Sequence, residues 1–244
     1  MFKENLVIIP TYNEIENIEA IIRKVMHLDE RFDVLIIDDG SPDNTALKVK
    51  ELQEEYPNEL HLIERSGKLG LGTAYIHGFK WAIEQGYEFI YEMDADFSHP
   101  PEDLVRLYKA CKIDGFDVAV GSRYIKGVNV VNWPMGRVLM SYFAGVYVRF
   151  ITGMKIMDPT AGFICYRREV LKTIPLDKIA FVGYAFQIEM KFNAFLFKFN
   201  ITEVPIIFTD RTKGVSKMST KIFREAVFGV VMMKIWSWFK SFKR

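Results

Sequence analysis

The sequence predicts an α/β fold with a mostly parallel, doubly wound sheet. Short apolar runs alternate with amphipathic helical patterns through the first half of the chain, which is typical of βαβ units. Polar residues follow the ends of these runs, as expected where parallel strands bring their carboxyl ends to one edge of a sheet. The chain has 244 residues and 50% of them are hydrophobic, so one large domain with a sizeable core is expected.

The elements follow from local patterns in the order of the chain. Strands are expected over residues 5–11, 33–39, 60–65, 88–96 and 116–122. Helices are expected over residues 13–28, 41–56 and 73–86, and a further helix opens at Pro100 and Pro101. Asn13 and Glu16 are spaced as a capping box for the first helix. In such a sheet, ligands bind beyond the carboxyl ends of the strands, where the strand order reverses.

Two aspartates, Asp94 and Asp96, end the fourth predicted strand. In an extended segment residues i and i+2 point the same way, so both carboxylates would face one spot. Two such anions repel each other, and a divalent cation with oxygen ligands relieves the repulsion. The pattern predicts a Mg²⁺ or Mn²⁺ site, with Ser98 as a candidate third ligand or as the holder of a coordinated water. A solvated turn with an aspartate cap is the alternative, and the position at a buried strand end favours the metal.

The second strand also ends in two carboxylates, Asp38 and Asp39. A carboxylate at this place can accept hydrogen bonds from a ribose or a base, and a turn built on Asp39 and Gly40 is compatible with that role. The loop GKLGLG (67–72) resembles a phosphate-binding loop, but it matches neither GxGxxG nor a P-loop. A plain flexible connection is the alternative for this loop.

The charge distribution predicts an anionic partner for the C-terminal segment. Residues 211–244 carry nine Lys or Arg and one acid, Glu225, although the net charge of the chain is only +1. Aromatic and basic residues are interleaved there, which suits the headgroup boundary of a membrane. Nucleic acid is not an expected partner, because no nucleic-acid motif accompanies the basic residues.

A catalytic domain is expected over residues 1–219 and an amphipathic membrane-surface helix over 220–244. Residues 133–156 form a second apolar stretch with two widely spaced arginines, which suits either a core helix or an interfacial one. The apolar stretches fall short of the ~18 residues that a spanning helix needs. The N-terminus lacks the apolar region of a signal peptide. We therefore expect a cytoplasmic protein, associated peripherally with the cytoplasmic face of a membrane.

The two cysteines, Cys111 and Cys165, form no motif. Cys111 is expected in a helix and Cys165 in a strand. Both are expected to be buried free thiols in a reducing compartment.

Blocks spread over nearly the whole chain resemble the family 2 glycosyltransferases with a GT-A fold. These blocks are PTYNE (10–14), DDGSPDNT (38–45), GLGTAYIHGF (70–79), MDADFSHP (93–100), GSRY (121–124), WPMGR (133–137), DPTAGFICYRREVL (158–171), FQIEM (186–190) and EVPIIFTDRTKGVSK (203–217). Their combination is similar to the dolichyl-phosphate and polyprenyl-phosphate mannosyltransferases, in a short form without transmembrane helices. Their joint occurrence is far more specific than the two aspartates alone.

The resemblance implies GDP-mannose as donor, a polyprenyl or dolichyl phosphate as acceptor, and Mg²⁺ or Mn²⁺ as cofactor. It places the nucleotide sugar against Pro10, Tyr12, Glu14, Ile37, Asp38, Asp39, Asp94, Ala95, Asp96, Arg211 and Lys217. Within that set, Asp39 would meet the guanosine, and Asp94 and Asp96 would bind the metal. The lipid phosphate would be held by Arg123, Arg137 and Ser141. Asp94, Asp96, Arg123 and Arg211 would carry catalysis.

A phosphate acceptor simplifies the chemistry that the resemblance implies. A phosphate monoester has a second pKa near ~6, so it is already an anion at pH 7 and needs no general base. Arginine suits this acceptor, because a guanidinium pairs bidentately with phosphate. Arg211 and Lys217 would close over the diphosphate, and the transfer would invert the anomeric configuration. Glu189 is expected either to touch the sugar or to stabilise a basic residue.

Other interpretations stay open at the level of the sequence. A relative with another donor, such as UDP-glucose or UDP-N-acetylglucosamine, or with another acceptor would share most of these residues. A non-catalytic nucleotide-binding subunit is disfavoured by the intact acidic and basic candidates. Ser98 stands where multi-pass relatives often have Gln, so a third protein ligand to the metal is left open. A membrane partner subunit is compatible with the sequence.

Overall fold

The computed structural model describes residues 3–183, 185–210, 220–239 and 241–242, with the side chains of the last helix described from Val227 onward. A seven-stranded sheet lies at its centre. The strands are β1 (Asn5–Thr11), β2 (Asp33–Asp38), β3 (Leu60–Glu64), β4 (Phe89–Glu92), β5 (Val118–Ser122), β7 (Ile164–Arg167) and β8 (Ile201–Pro205), in the order β3-β2-β1-β4-β7-β5-β8. A small parallel pair, β6 (Val130–Val131) and β9 (Phe208–Thr209), lies apart from it.

Helices cover both faces of the sheet. One face packs against α1 (Ile18–Met26), α2 (Thr45–Glu55) and α4 (Asp103–Lys112), and the other against α3 (Leu71–Gln85), α6 (Arg168–Thr173) and α7 (Ala185–Leu196). Two further helices, α5 (Met135–Thr152) and α8 (Thr220–Phe239), contact each other, and a short 3₁₀ turn covers Leu176–Lys178.

The mostly parallel, doubly wound sheet is confirmed. Strand β1 pairs in parallel with β2 on one side and with β4 on the other, and β2 pairs in parallel with β3. Strand β7 is the exception, since it runs antiparallel between β4 and β5. The strand order reverses between β1 and β4, so the carboxyl ends of β1, β2 and β4 surround the crevice where such folds bind ligands.

Successive side chains of each strand point to opposite faces of the sheet, so the core has two layers. On β1, Val7 and Ile9 face the α1 layer, whereas Leu6 and Ile8 face the α3 layer. Full burial of such a side chain contributes about 1.5–3 kcal/mol. Helix α3 approaches the sheet closely at Gly78, where an added Cβ would lie 2.9 Å from the Ile8 side chain. A larger residue at this position would require the Ile8 side chain to shift.

The first helix starts later than the sequence predicts, and the capping box of Asn13 and Glu16 is wrong. Helix α1 begins at Ile18, and Asn13 has a φ of +58°. The backbone N–H groups of residues 13 and 15 donate to the side chains of Ser41 and Asp43 in the β2–α2 loop, and that of residue 14 donates to Thr45 at the start of α2. Because these donors are satisfied by a neighbouring loop, the chain does not turn helical there.

The apolar stretch over 133–156 contains a helix shorter than the stretch itself. Helix α5 begins after Pro134 and ends at Gly153, whose φ is +79°. Helix α8 packs on α5 and α7 and contributes Val230 and Met233 to a third apolar cluster. Within the described residues, no helix is both long and apolar enough to cross a membrane.

The predicted elements and burial of the two free cysteines are confirmed. Cys111 lies in α4 and Cys165 in β7, and both are buried free thiols.

Candidate functional site

The turn after β4 carries Asp94 and Asp96. The strand itself ends at Glu92, so the prediction of an extended segment through Asp96 is wrong. The turn instead takes its shape from Phe97, with a φ of +60°, and from the Ser98 N–H, which donates to Asp96 Oδ1 at 3.0 Å. The placement of the two carboxylates is therefore set by the turn and not by strand alternation.

His99 supports this turn, a role that was not predicted from the sequence. The Asp94 N–H donates to His99 Nδ1 at 3.2 Å, and the imidazole stacks on Phe163 with centroids 5.0 Å apart. Burial lowers the pKa of His99 to about 4, which outweighs the opposing effect of the Asp96 charge. The ring is therefore neutral at pH 7 and can accept this hydrogen bond. Its position inside the MDADFSHP block was the available signal.

The residues of this turn fit a hard divalent cation shared with a substrate. In the described part of the chain, no group of three or more His, Cys, Asp or Glu side chains could hold a metal ion alone. Two carboxylates at a turn match Mg²⁺ or Mn²⁺, which keep several waters and bind through one or two carboxylates plus phosphate oxygens. Ser98 is 2% exposed and lies in the same turn, so it stays a candidate third ligand.

Strand β2 delivers two carboxylates with different partners. Asp38 is 1% exposed, and its carboxylate accepts hydrogen bonds from Thr11 Oγ1, Ser41 Oγ and the Ser41 N–H. These bonds tie the end of β1 to the loop after β2. Asp39 instead accepts from Arg65 Nε at 2.6 Å. The predicted contact between Asp39 and a nucleoside therefore concerns a carboxylate that already has a cationic partner.

The remaining residues predicted for the nucleotide differ in accessibility. Tyr12 and Glu14 are partly exposed beyond β1, and the Lys68 ammonium lies 5.1 Å from the Tyr12 ring centroid. Pro10 is partly exposed at the end of the same strand. Ile37 and Ala95 are buried and their side chains belong to the core layers, so a ligand can meet them only through their backbone.

Arg123 follows β5 and is buried in an ion pair with Asp158. Its Nε and Nη2 donate to the two carboxylate oxygens of Asp158 at 2.7 and 2.6 Å, and Nη2 also donates to Thr160 Oγ1 at 2.8 Å. Burial acts to raise the pKa of Asp158, but the charge and hydrogen bonds of Arg123 hold that pKa below its usual value. This pair fixes the loop before β7. Asp158 lies in the DPTAGFICYRREVL block, but the sequence alone did not predict this role for it.

Aromatic rings connect this pair with the turn after β4. The Arg123 guanidinium lies 5.5 Å from the Trp133 ring centroid and 5.6 Å from that of Phe208. Phe208 in turn meets the His99 ring edge-on, with centroids 5.6 Å apart. A continuous series of contacts therefore runs from Asp94 through His99 and Phe208 to Trp133.

Arg137 continues this series at the start of α5. Its guanidinium lies over Trp133, 4.0 Å from the ring centroid, and Nη1 donates to Asp210 Oδ2 at 2.8 Å. About a third of this side chain is exposed, against less than a tenth for Arg123. Ser141, one helical turn further on, has a buried Oγ without a hydrogen-bond partner among the described residues. Of the two arginines predicted to hold a phosphate, Arg137 is the accessible one.

A buried polar cluster lies beneath the turn after β4. Gln187 Nε2 donates to Glu92 Oε2, and Lys191 Nζ donates to the carbonyl oxygens of Ala161 and Gln187 at 2.6 and 2.9 Å. Burial raises the pKa of Glu92 to about 8 and lowers that of Lys191 to about 8. Lys191 thus holds the loop that contains Asp158. This cluster was not predicted from the sequence.

Predictions were also made for Glu189, Arg211 and Lys217. Glu189 is buried and accepts the backbone N–H groups of Ala180 and Phe181 at 2.9 and 3.0 Å, so it orders that loop. Arg211 and Lys217, predicted to close over the diphosphate, lie outside the described residues.

Comparison with known proteins identifies the family of the chain. The model of the family described as "Glycosyl transferase family 2" matches residues 6–174. A polyprenol monophosphomannose synthase from Mycolicibacterium smegmatis is 47% identical, covering 93% of this chain and 86% of that protein. An undecaprenyl-phosphate mannosyltransferase from Micrococcus luteus is 43% identical, covering 92% and 91%.

Solved structures share the fold at low sequence identity. A glucosyl-3-phosphoglycerate synthase from Mycobacterium tuberculosis, in complex with Mn²⁺, UDP and glucosyl-3-phosphoglycerate, has a TM-score of 0.68 at 16% identity, covering 96% of this chain and 80% of that one. A mannosyltransferase from Pyrobaculum calidifontis, in complex with GDP-Man and Mn²⁺, has a TM-score of 0.56 at 16% identity, covering 95% and 71%. Both carry the GT-A-type architecture of a mostly parallel sheet with flanking helices.

Proposed function

Because the chain belongs to glycosyl transferase family 2 and its relatives are mannosyltransferases, we propose that it transfers mannose from GDP-mannose to a polyprenyl phosphate. The product would be a polyprenyl-phosphate mannose. One observation carries the proposal beyond the family. The series of contacts described above joins the Asp94 turn to Arg137, an accessible cation at the start of an exposed apolar helix. This series of contacts supports a diphosphate site that lies next to a lipid-phosphate site.

The donor side is built from the ends of β1, β2 and β4. Asp39 would meet the guanosine and Tyr12 would line the same pocket. Asp94 and Asp96 would hold a divalent cation, which when bound neutralises charge on the diphosphate and stabilises the leaving GDP. The Mn²⁺ in complexes of proteins with this fold supports the choice of a hard cation.

The acceptor side needs an anion-binding group and no general base. The phosphate monoester is ionised at pH 7, so the bond to the anomeric carbon forms from an oxygen that has already lost its proton. Arg137 would exchange Asp210 for this phosphate, because a guanidinium pairs with both groups in the same way. Arg123 would act by holding Asp158 and the loop before β7. The free Ser141 hydroxyl is one turn from Arg137 and could donate to the same phosphate.

A membrane surface is the natural place for this acceptor. On α5, Phe143 and Phe150 are 61% and 85% exposed, and on α8, Trp238 and Phe239 are 70% and 83% exposed. The two helices contact each other, and we call the surface that carries these four exposed side chains the α5–α8 face. We propose that the α5–α8 face lies in the headgroup layer on the cytoplasmic side of a membrane, where the acceptor phosphate is tethered.

The proposal is tested by incubating the full chain with GDP-mannose, Mn²⁺ or Mg²⁺ and a polyprenyl phosphate. The expected result is a mannosyl lipid that forms only when all three components are present. Parallel reactions with UDP-glucose and UDP-N-acetylglucosamine test the alternative donors. Transfer from a UDP-sugar without transfer from GDP-mannose would overturn the donor assignment, and transfer to no lipid phosphate would overturn the acceptor.

A further inference from the structure

Arg65 lies beside the nucleotide-side carboxylate and has no part in the proposed transfer. It follows β3 directly, as Asp39 follows β2. These strands are parallel, and Asp38 is paired in register with Glu64, so Asp39 and Arg65 leave neighbouring strands side by side. The Arg65 N–H donates to the Asp38 carbonyl at 2.8 Å, which fixes the backbone of the two strand ends together.

The Arg65 guanidinium joins this strand end to the start of α3. Its Nε lies 2.6 Å from Asp39 Oδ1, and its Nη1 donates to Thr73 Oγ1 at 2.8 Å. Its Nη2 also reaches the carbonyl oxygen of Gly70 at 3.4 Å. One planar group therefore sets the distance and the angle between Asp39 and the glycine-rich loop.

The ion pair is costly to bury, which indicates a role beyond stability. The two side chains are 7% and 9% exposed, and pairs withdrawn from water to this degree are often no more stabilising than apolar residues of the same volume. Asp39 Oδ1 is bound to Arg65, whereas Oδ2 accepts no hydrogen bond from the residues that the structure describes. The carboxylate is thus held by one oxygen and keeps acceptor capacity on the other.

We infer that Arg65 is a positioning residue for base recognition: it holds Asp39 through Oδ1 so that Oδ2 accepts an N–H of the nucleotide base. The inference rests on the proposed function, which supplies a guanosine nucleotide. Guanine offers two adjacent donors, the ring N1–H and the 2-amino group. A carboxylate fixed in one orientation distinguishes ligands that have these donors from ligands that lack them, because a buried acceptor left unpaired weakens binding.

The test measures binding of GDP and of two analogues that each lack one donor. Inosine diphosphate lacks the 2-amino group, and N1-methyl-GDP lacks the ring N–H. In the parent protein, at least one analogue should bind about tenfold more weakly than GDP, as expected for a lost hydrogen bond to a charged group. In Arg65→Met, GDP should bind more weakly and the preference over that analogue should fall to nearly one.

A double-mutant cycle separates positioning from a general loss of structure. Asp39→Asn should remove the same preference, and the double variant Asp39→Asn, Arg65→Met should bind GDP no worse than the weaker single variant. Arg65→Lys retains one donor for Asp39 but cannot reach Thr73 and Gly70 together, so it should recover only part of the preference.

Arg168 offers a matched control at the other end of α3. Its Nη1 donates to the Gly86 carbonyl at 2.9 Å, and its Nη2 pairs with Glu88 at 2.9 Å. Arg168→Met therefore removes an arginine that contacts the carboxyl end of α3 without touching the ends of β2 and β3. Its preference among the three nucleotides should equal that of the parent.

Each outcome decides the inference. If Arg65→Met folds and keeps the parent's preference for GDP over the analogue, the positioning role of Arg65 is refuted. If Arg65→Met does not fold, the same conclusion follows from a full preference in Arg65→Lys. If the parent binds UDP more tightly than GDP, the donor proposal fails by itself. The same cycle, run with UDP and N3-methyl-UDP, then decides the role of Arg65 independently.

Discussion

The proposed donor side and the proposed acceptor side of this molecule are built in opposite ways. At the ends of β1 and β2, polar side chains are bound to one another within the protein, as Asp38 is to Thr11 and Ser41. On the α5–α8 face, large apolar side chains such as Phe150 and Phe239 are exposed to solvent. Exposed apolar regions of this kind mark surfaces that another phase or partner covers.

The proposed function accounts for this difference. In that proposal the nucleotide sugar arrives from water, and fixed hydrogen-bonding groups bind it without the cost of ordering them at that moment. The lipid phosphate would arrive with its membrane, so the protein would need an accessible cation and a surface that tolerates the bilayer. The two arginines follow the same division, with Arg123 buried in its ion pair and Arg137 partly exposed.

The largest expected effect on the transfer rate comes from the loss of a carboxylate at the turn after β4. Asp94→Asn or Asp96→Asn should lower the transfer rate by about 10³-fold, since a bound metal ion supplies several kcal/mol of charge stabilisation. EDTA should do the same to the parent, and added Mn²⁺ should restore activity. Asp103→Asn, a matched change on the first turn of α4, should leave the rate within about twofold. Full activity of the parent in EDTA would refute the metal assignment.

Arg123→Met and Arg137→Met should differ in their effect on the free energy of unfolding. Removal of one partner leaves Asp158 as a buried unpaired charge, which costs about 3–5 kcal/mol of the free energy of unfolding. Urea denaturation should show this loss, whereas Arg137→Met should change the free energy of unfolding by less than about 1 kcal/mol. Equal stability of Arg123→Met and the parent would mean that the ion pair is not what orders the loop before β7.

His99 makes the stability of the metal-free protein depend on pH. Because burial lowers the pKa of His99 to about 4, the unfolded chain binds a proton between pH 6.5 and about 4 that the folded chain does not. His99 therefore contributes stability that is complete above pH 6.5 and is lost as the pH falls, up to about 3 kcal/mol. Urea titrations at several pH values should show a smaller loss for His99→Gln. An identical pH dependence of parent and variant would contradict the neutral imidazole.

A milder change on the acceptor side is Arg137→Ala. The KM for polyprenyl phosphate should rise roughly tenfold or more, because a hydrogen bond from a charged donor contributes about 1.5–3 kcal/mol. The Kd of GDP, measured by calorimetry, should stay unchanged. Arg149→Ala, near the other end of α5, provides the control. A weakened affinity for GDP in Arg137→Ala would assign this arginine to the donor instead.

The sequence predicted the parts of the fold and site that follow from local pattern. The parallel sheet, the buried thiols and the location of Asp94 and Asp96 at the carboxyl edge of the sheet were predictable, because they depend on periodicity and on strand ends, whereas the turn that carries the two aspartates was not. The start of α1 could not be predicted, since it depends on hydrogen bonds to side chains of the β2–α2 loop. The burial of Arg123 could not be predicted either, because its partner Asp158 is 35 residues away in the chain.

Arg65 lies between these two cases. Its partner Asp39 is 26 residues away, yet both residues follow the ends of consecutive strands. Opposite charges at matching ends of neighbouring parallel strands were a readable signal, once the strand order was known. The order of strands depends on long-range packing that a single sequence does not specify.

The central claim is that mannose is transferred to an acceptor presented at the α5–α8 face. It is tested by the triple variant Phe150→Ser, Trp238→Ser, Phe239→Ser in the full chain. Truncation at residue 219 is less suitable, because it would also remove Val230 and Met233 from the core. Leu47→Ser, Ile113→Ser, with exposed apolar residues on α2 and after α4, is the matched control.

The rates of mannose transfer from GDP-mannose are measured with two acceptors, polyprenyl phosphate in anionic vesicles and a short, soluble prenyl phosphate. Nearby Lys and Arg residues contribute about 1 kcal/mol each to binding of such vesicles. The parent and the control variant should use both acceptors. The triple variant should keep its rate on the soluble acceptor within about twofold and lose most of its rate on the vesicles. An unchanged rate on the vesicles, or an equal loss on both acceptors, would contradict the account.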